Sequence, residues 1–102
     1  MMKNYAWILI LTGLFSIPSC SCTNTDIASV DLSKNTQLAN VFVCDNLLTE
    51  LDVSMLPNLR QLYCGNQRNN ITLKLKLSEA QKQLWKDEWS KDSCNQNVVL
   101  VD

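Results

Sequence analysis

The sequence predicts an α/β fold: two copies of a short repeat stack as a solenoid, and a strand–helix–strand segment caps the C-terminal end. The segment 27–33 returns as 48–54, and the segment 38–43 returns at the same spacing as 59–64. A repeat this short has room for one strand and a loop, so each copy hides its apolar face only by stacking on the next. A different pattern, strand alternation followed by a helix start, begins at residue 71.

The first 19 residues predict a secretory signal peptide. Lys3 supplies a positive start, and an almost wholly apolar run follows over 5–17. A helix of about 13 residues rises only about 20 Å, which is too short for a hydrocarbon layer of about 30 Å. An uncleaved anchor helix is the alternative interpretation.

The end of this segment, Ile17-Pro-Ser-Cys20, has an aliphatic residue three positions before a cysteine and a small residue directly before it. It resembles the lipobox of bacterial lipoproteins. The resemblance implies that the chain is cleaved before Cys20, and that Cys20 is lipidated and anchors the protein to a membrane through several acyl chains. The small polar residues over 20–26 are then predicted to be a tether between lipid and domain.

The charge and residue types argue against several functions. Once Lys3 leaves with the signal, eight basic side chains face ten acidic ones, and they form no basic stripe. We therefore expect no nucleic-acid partner. The chain has no histidine and no cysteines at zinc-binding spacing, so we expect no metal site, no cofactor and no catalytic residue.

Four further cysteines could oxidise in an exported chain. Cys44 and Cys64 are separated by one residue less than the repeat, so they are expected to point to opposite sides of neighbouring strands. A bridge between them is therefore not expected. The pairing among the four is otherwise left open; they are Cys22, Cys44, Cys64 and Cys94.

The repeats span 27–70 and carry the spacing L-x-x-L-x-L-x-x-N-x-L, which is the pattern of leucine-rich repeats. It is formed by Leu38, Val41, Val43, Asn46 and Leu48. Two inward positions alternate as in a strand, and the asparagine then satisfies buried backbone groups at a sharp turn. Stacked copies of that side chain would form a ladder.

The runs 30–38 and 48–54 resemble the leucine-rich repeats of surface lipoproteins from Bacteroidetes-type bacteria. Cys64 matches the inward cysteine of that family, whereas Val43 replaces it in the first copy and Gln67 replaces the turn asparagine in the second. The resemblance implies a lipid-anchored protein of the cell envelope, at the outer membrane or cell surface, that binds other molecules.

The segment 71–102 is predicted to be the cap. Its apolar alternation over 71–77 indicates a half-buried strand, and the pair Ser78 and Gln81 indicates a capping box that opens a helix. A short apolar strand over 98–101 follows. The buried stripe of the helix is predicted to contain Ala80, Leu84, Trp85 and Trp89.

The predicted binding residues lie on the outer, concave face of the repeats. Phe42 and Tyr63 occupy equivalent outward positions, and Asn40, Arg60 and Gln61 flank them. Large outward aromatic side chains are good anchors for a protein or glycan ligand. The structural alternative is that they only reflect strand propensity and cross-strand packing.

Two other hypotheses remain open. Asp31 and Asp52 recur at one repeat position, and a carboxylate pair can perform acid–base chemistry, although a solvated edge is the commoner role. The chain could also be a truncated or degenerate repeat protein without binding activity of its own, because about three repeats normally form a stable core. The sequence does not indicate an oligomeric state.

Overall fold

The computed structural model describes residues 19–21 and 23–101, which form a small mixed α/β domain with parallel strands and one α-helix. The signal peptide predicted over 1–19 lies outside the described residues except for Ser19. The strands are β1 (Ser19–Ser21), β2 (Asn40–Phe42), β3 (Glu50–Asp52), β4 (Gln61–Tyr63), β5 (Leu73–Lys76) and β6 (Val98–Val101). The helix is α1 (Glu79–Asp87), and two 3-10 helices follow it at Trp89–Lys91 and Ser93–Asn95.

The strands form two parallel sheets of three strands each, in the orders β1-β2-β4 and β3-β5-β6. In the first sheet, Ser19 pairs with Asn40 and Asn40 pairs with Gln61, so the offset between neighbouring strands is the same at both steps and equals the sequence repeat. In the second sheet, Leu51 pairs with Leu75, so the offset is longer. The added length coincides with 68–70, where the sequence pattern also breaks.

The same interval recurs in the turns. Asn24, Asp45 and Asn66 all have a positive φ, between 53° and 61°. Asparagine and aspartate tolerate this left-handed conformation better than most residues. The Asp31 carboxylate accepts a hydrogen bond from the Ser33 backbone, and Asp52 accepts the same bond from Ser54. The local backbone is therefore repeated three times around Asn24, Asp45 and Asn66, one time more than the sequence pattern indicated.

One continuous apolar core lies between the sheets and under the cap. Val43 and Cys64, the inward pair predicted from the repeat, are both fully buried. The backbone N–H of Val43 donates to the Tyr63 carbonyl at 2.8 Å, which continues the β2–β4 pairing by one residue. The other apolar side chains with no exposed surface among the described residues are Val41, Leu48, Val53, Leu56, Leu62, Leu73 and Leu75.

A buried side-chain amide holds each turn to the next. Asn46 Oδ1 accepts hydrogen bonds from the backbone N–H groups of Thr25 (3.0 Å) and Ile27 (3.2 Å). Gln67 Oε1 accepts the equivalent bonds from Asn46 (3.1 Å) and Leu48 (2.9 Å). The two bonds span the same sequence separations in both turns, so Gln67 performs the same task in its turn as Asn46 does in the preceding one.

The amide groups also donate. Asn46 Nδ2 donates to the Val43 carbonyl at 3.1 Å, and Gln67 Nε2 donates to the carbonyls of Val43 (3.0 Å) and Cys64 (2.9 Å). Asn95 adds a third step from the C-terminal side. Its Oδ1 accepts from the Cys64 N–H at 2.7 Å, and its Nδ2 donates to the Leu62 carbonyl at 2.8 Å. We call Asn46, Gln67 and Asn95 the amide ladder.

The capping box at the start of α1 has both predicted bonds: the Ser78 hydroxyl accepts from the Gln81 N–H, and the Gln81 side chain accepts from the Ser78 N–H. Gln81 is buried, and its Nε2 also donates to the carbonyls of Val53 (2.8 Å) and Leu56 (3.0 Å). The predicted stripe is wrong at Ala80, which is exposed. The polar Gln81 takes the inward position because buried carbonyls of the loop beneath it need a donor.

The other three residues of the predicted stripe are half-buried or buried. Leu84 and Trp85 are half-buried against the core, and Trp89 is buried. Trp89 belongs to a 3-10 turn, because α1 ends at Asp87. Its indole N–H donates to the Arg60 carbonyl at 3.2 Å, which joins the cap to the segment that leads into β4.

The segment 20–26, predicted as a tether, is bonded to the domain where it is described. Ser19–Ser21 pairs with β2. Arg68 donates to the Thr25 carbonyl at 2.7 Å and forms an ion pair with Asp26. The proposed domain boundaries remain predictions, but these contacts make the segment an additional layer of the fold. No helix in residues 19–21 and 23–101 has the length and apolar character needed to cross a bilayer.

We predict that Gln67→Met destabilises the domain by about 3–5 kcal/mol, because it removes the acceptor of two buried N–H groups and the donor of two buried carbonyls at nearly constant volume. Urea denaturation of the full chain in mild detergent, followed by tryptophan fluorescence, measures this. The exposed Gln37 offers the matched control, since Gln37→Met removes the same group without uncovering the ladder. Equal midpoints for the two variants would contradict the assigned role.

Candidate functional site

The outer face of the β1-β2-β4 sheet carries the aromatic pair predicted from the repeat. The rings of Phe42 and Tyr63 are stacked, with centroids 5.1 Å apart and planes inclined by 29°. This separation is close to the spacing of neighbouring strands, about 4.8 Å, so the rings face each other along the sheet. Both residues are half-buried. The two rings therefore cover part of each other's faces.

A polar row lies two residues earlier on the same strands. Ser19, Asn40 and Gln61 occupy one register position, and Asn40 Nδ2 donates to Ser19 Oγ at 3.1 Å. Residues two apart on a strand share a face, so this row borders the aromatic pair. Asn40 is half-buried, and Gln61 is exposed.

Three of the predicted binding residues also border a groove of about 550 Å³ between the starts of β2 and β4 and the end of α1. Asn40, Arg60 and Gln61 form one wall, and Leu84 and Glu88 of the cap form the other. Arg60 is exposed, and its backbone N–H donates to the Ala39 carbonyl at 2.7 Å, which fixes its position beside β2. All five predicted binding residues thus lie on or next to two adjacent strands.

Cys20, the predicted lipidation site, occupies an inward position of β1. It pairs in register with Val41, and its side chain is 1% exposed. A thioether-linked lipid does not fit in that packed position, so lipidation requires this residue to leave the sheet. The assignment of Cys20 remains a prediction.

The two aspartates of the enzyme hypothesis serve their own turns. Hydrogen bonds from the Ser33 side chain and backbone lower the pKa of the exposed Asp31 carboxyl. Asp52 Oδ1 accepts from both the N–H and the hydroxyl of Ser54, at 2.9 and 2.6 Å. Each carboxylate therefore accepts a hydrogen bond from the residue two positions ahead of it.

The cysteines divide into a buried and a half-exposed group. Burial raises the pKa of the Cys64 thiol well above its usual value of 9.0. Burial, and secondarily the Cys94 thiol beside it, raises the pKa of Cys44 to about 11. The contact between Cys44 and Cys94 had no signal in the sequence, because it joins a repeat to the distant cap. Within the described residues, no three acidic, cysteine or histidine side chains are grouped as metal ligands would be.

Comparison with protein-family models, with curated proteins and with solved structures finds no match to this chain. The proposed role therefore depends on the geometry of the site and on the sequence resemblance.

We predict that alkaline pH destabilises the domain partly through Cys64. Its pKa is raised in the folded state, so its contribution to stability is complete below about pH 9 and is lost above it, as the unfolded chain deprotonates first. The limiting loss is about 1.4 kcal/mol per pH unit. Cys64→Val introduces the residue type that Val43 has at the equivalent position of the preceding turn. It removes this part of the pH dependence of the unfolding free energy between pH 9 and 10.5.

Urea denaturation at each pH measures the slope for both proteins. An unchanged slope in Cys64→Val would contradict the burial of that thiol in the native state.

Proposed function

We propose that this chain is a lipid-anchored module of the cell envelope in which a short leucine-rich-repeat solenoid binds a protein or glycan through the outer face of the β1-β2-β4 sheet. The register of that sheet supports a solenoid, because paired residues are separated by one repeat on both sides of β2. The amide ladder supports it as well, since equivalent side chains bond equivalent backbone groups in successive turns. Three such turns satisfy the size that a stable repeat core usually needs.

The observation that carries the binding proposal is the stacked pair Phe42 and Tyr63 beside the polar row. Aromatic side chains with few rotatable bonds lose little entropy on binding, and neighbouring amides supply hydrogen bonds at fixed spacing. Cross-strand packing of the two rings is the structural alternative.

Ring orientation favours a protein over a glycan. Sugars stack on exposed aromatic faces, whereas Phe42 and Tyr63 cover part of each other's faces. Ring edges and amides suit a protein surface that presents carbonyl groups and apolar side chains. Arg60 at the groove adds a donor for a carboxylate or carbonyl of the partner.

The lipobox-like end of the signal supports the envelope location. Cleavage before Cys20 removes Ser19 and with it the hydrogen bond from Asn40. The resemblance implies that the thiol is acylated before this cleavage and the new amino group after it, so Cys20 leaves β1 before Ser19 is lost. Asn40 is left with an unoccupied amide on the binding face in the mature protein.

We predict that native protein purified from membranes begins at Cys20 and carries diacylglycerol on its thiol and an acyl chain on its amino group. Intact-mass and fragment mass spectrometry measure both. Cys20→Ser abolishes processing and acylation, and Cys22→Ser is the matched control that leaves them unchanged. A mature chain with an unmodified Cys20 would refute the anchor.

We predict that Phe42→Ala/Tyr63→Ala lowers partner recovery from envelope extracts at least about tenfold, because it removes two anchors of one contact. The control is Lys74→Ala/Lys76→Ala, two exposed substitutions on β5 of the other sheet. Protease treatment of the extract eliminates recovery of a protein ligand and spares a glycan. Equal recovery by both double variants would place binding elsewhere.

A further inference from the structure

The thiols of Cys44 and Cys94 meet where the repeats join the cap. Cys44 lies two residues after the end of β2, and Cys94 lies in the 3-10 turn Ser93–Asn95. The Cys94 thiol is near enough to Cys44 to help raise the pKa of that residue, and neither cysteine is in a disulfide. Both residues are partly exposed, so a reagent can reach them.

Gly65 explains why the two thiols can approach. It occupies the position equivalent to Cys44 in the next turn, and its N–H donates to the Cys94 carbonyl at 2.9 Å. A Cβ atom at this position would lie 2.5 Å from the Gln96 carbonyl oxygen and 2.6 Å from the Asn95 Cα. The backbone of 94–96 therefore packs directly on a turn that has no side chain at this point.

Other bonds hold Cys94 in place. Its N–H donates to the Asp92 carboxylate at 2.8 Å, and Asn66 Nδ2 donates to the Ser93 carbonyl at 2.7 Å. On the other side, the residue after Cys44 donates its N–H to the Gly65 carbonyl at 3.3 Å. Both cysteines are thus attached to the same turn, which keeps their thiols adjacent in the reduced protein.

We propose that Cys44 and Cys94 form a disulfide that fastens the C-terminal cap to the repeats. The oxidant is a disulfide of a small thiol or of an exchange protein. One cysteine, as its thiolate, attacks that disulfide and releases one thiol. The second cysteine then attacks the mixed disulfide and releases the other thiol. Two cysteine thiols lose two protons and two electrons, and the donor disulfide becomes two thiols.

The other described cysteines are poor partners for either thiol. Cys20 is 1% exposed and Cys64 is fully buried, both in the apolar core. Cys64 precedes Gly65, so it lies on the opposite side of its strand from the turn that Cys94 covers.

The bond would close a loop that contains β3, β4, β5 and α1. A crosslink across a loop of this length restricts the unfolded chain strongly. We expect the oxidised protein to melt about 10 °C or more above the reduced protein. Use of this bond in the cell depends on the proposed export, whereas its formation in vitro does not.

Trypsin separates the candidate cysteines. The fragments are 4–34 with Cys20 and Cys22, 35–60 with Cys44, 61–68 with Cys64, and 92–102 with Cys94. The full chain in mild detergent is equilibrated with oxidised and reduced glutathione, quenched with acid and digested. We expect 35–60 joined to 92–102 as the main linked species. Linkage of 35–60 to 61–68 or 4–34, or only glutathione adducts on both fragments, would overturn the proposal.

Variants and a denatured control complete the test. Cys94→Ser removes the linked species and the rise in melting temperature, and Cys64→Val retains both. Oxidation in guanidinium no longer favours the linkage of 35–60 to 92–102, because only the folded chain holds the two thiols together. The same linkage in vitro but not in protein isolated from envelopes upholds the pairing and counts against export. Failure in vitro overturns the pairing without bearing on the binding face.

Discussion

The fold depends on buried side-chain amides that replace backbone hydrogen bonds where the strands end. Each strand of the first sheet has only three residues, so the backbone hydrogen bonds between the strands are too few to hold the turns in register. The backbone N–H and C=O groups that follow would be buried without partners. Asn46 and Gln67 each bond both kinds of group, and Asn95 bonds them from the cap. A side chain with only donors or only acceptors does not meet this requirement.

This constraint positions the outer face. Because the ladder fixes the interval between successive turns, Phe42 is brought over Tyr63, and Asn40 over Gln61. The same interval places Cys44 above Gly65, and the absence of a side chain there admits the segment that carries Cys94. Thus the proposed binding surface and the proposed disulfide both follow from the spacing that the ladder sets.

The sequence predicted what depends on local pattern. Alternation indicated the inward pair Val43 and Cys64, and the capping box indicated the start of α1. It did not predict that Gln67 keeps the role of asparagine, since the extra methylene changes the pattern but not the amide chemistry. It missed the pairing of Ser19–Ser21, whose three small polar and thiol residues lack a strand signature. The inward position of Gln81 was also not predicted, because it depends on loop carbonyls that need a donor and that no spacing rule reveals.

The central claim is tested most directly by amide hydrogen exchange, measured residue by residue by NMR. Ile27, Asn46 and Leu48 lie outside every strand and helix, yet their N–H groups are bonded to the ladder side chains. The account predicts that these three amides exchange as slowly as those of β2 and β4, through unfolding of the whole domain. Exchange at the rate of exposed loop amides would contradict the ladder and the stacked turns that depend on it.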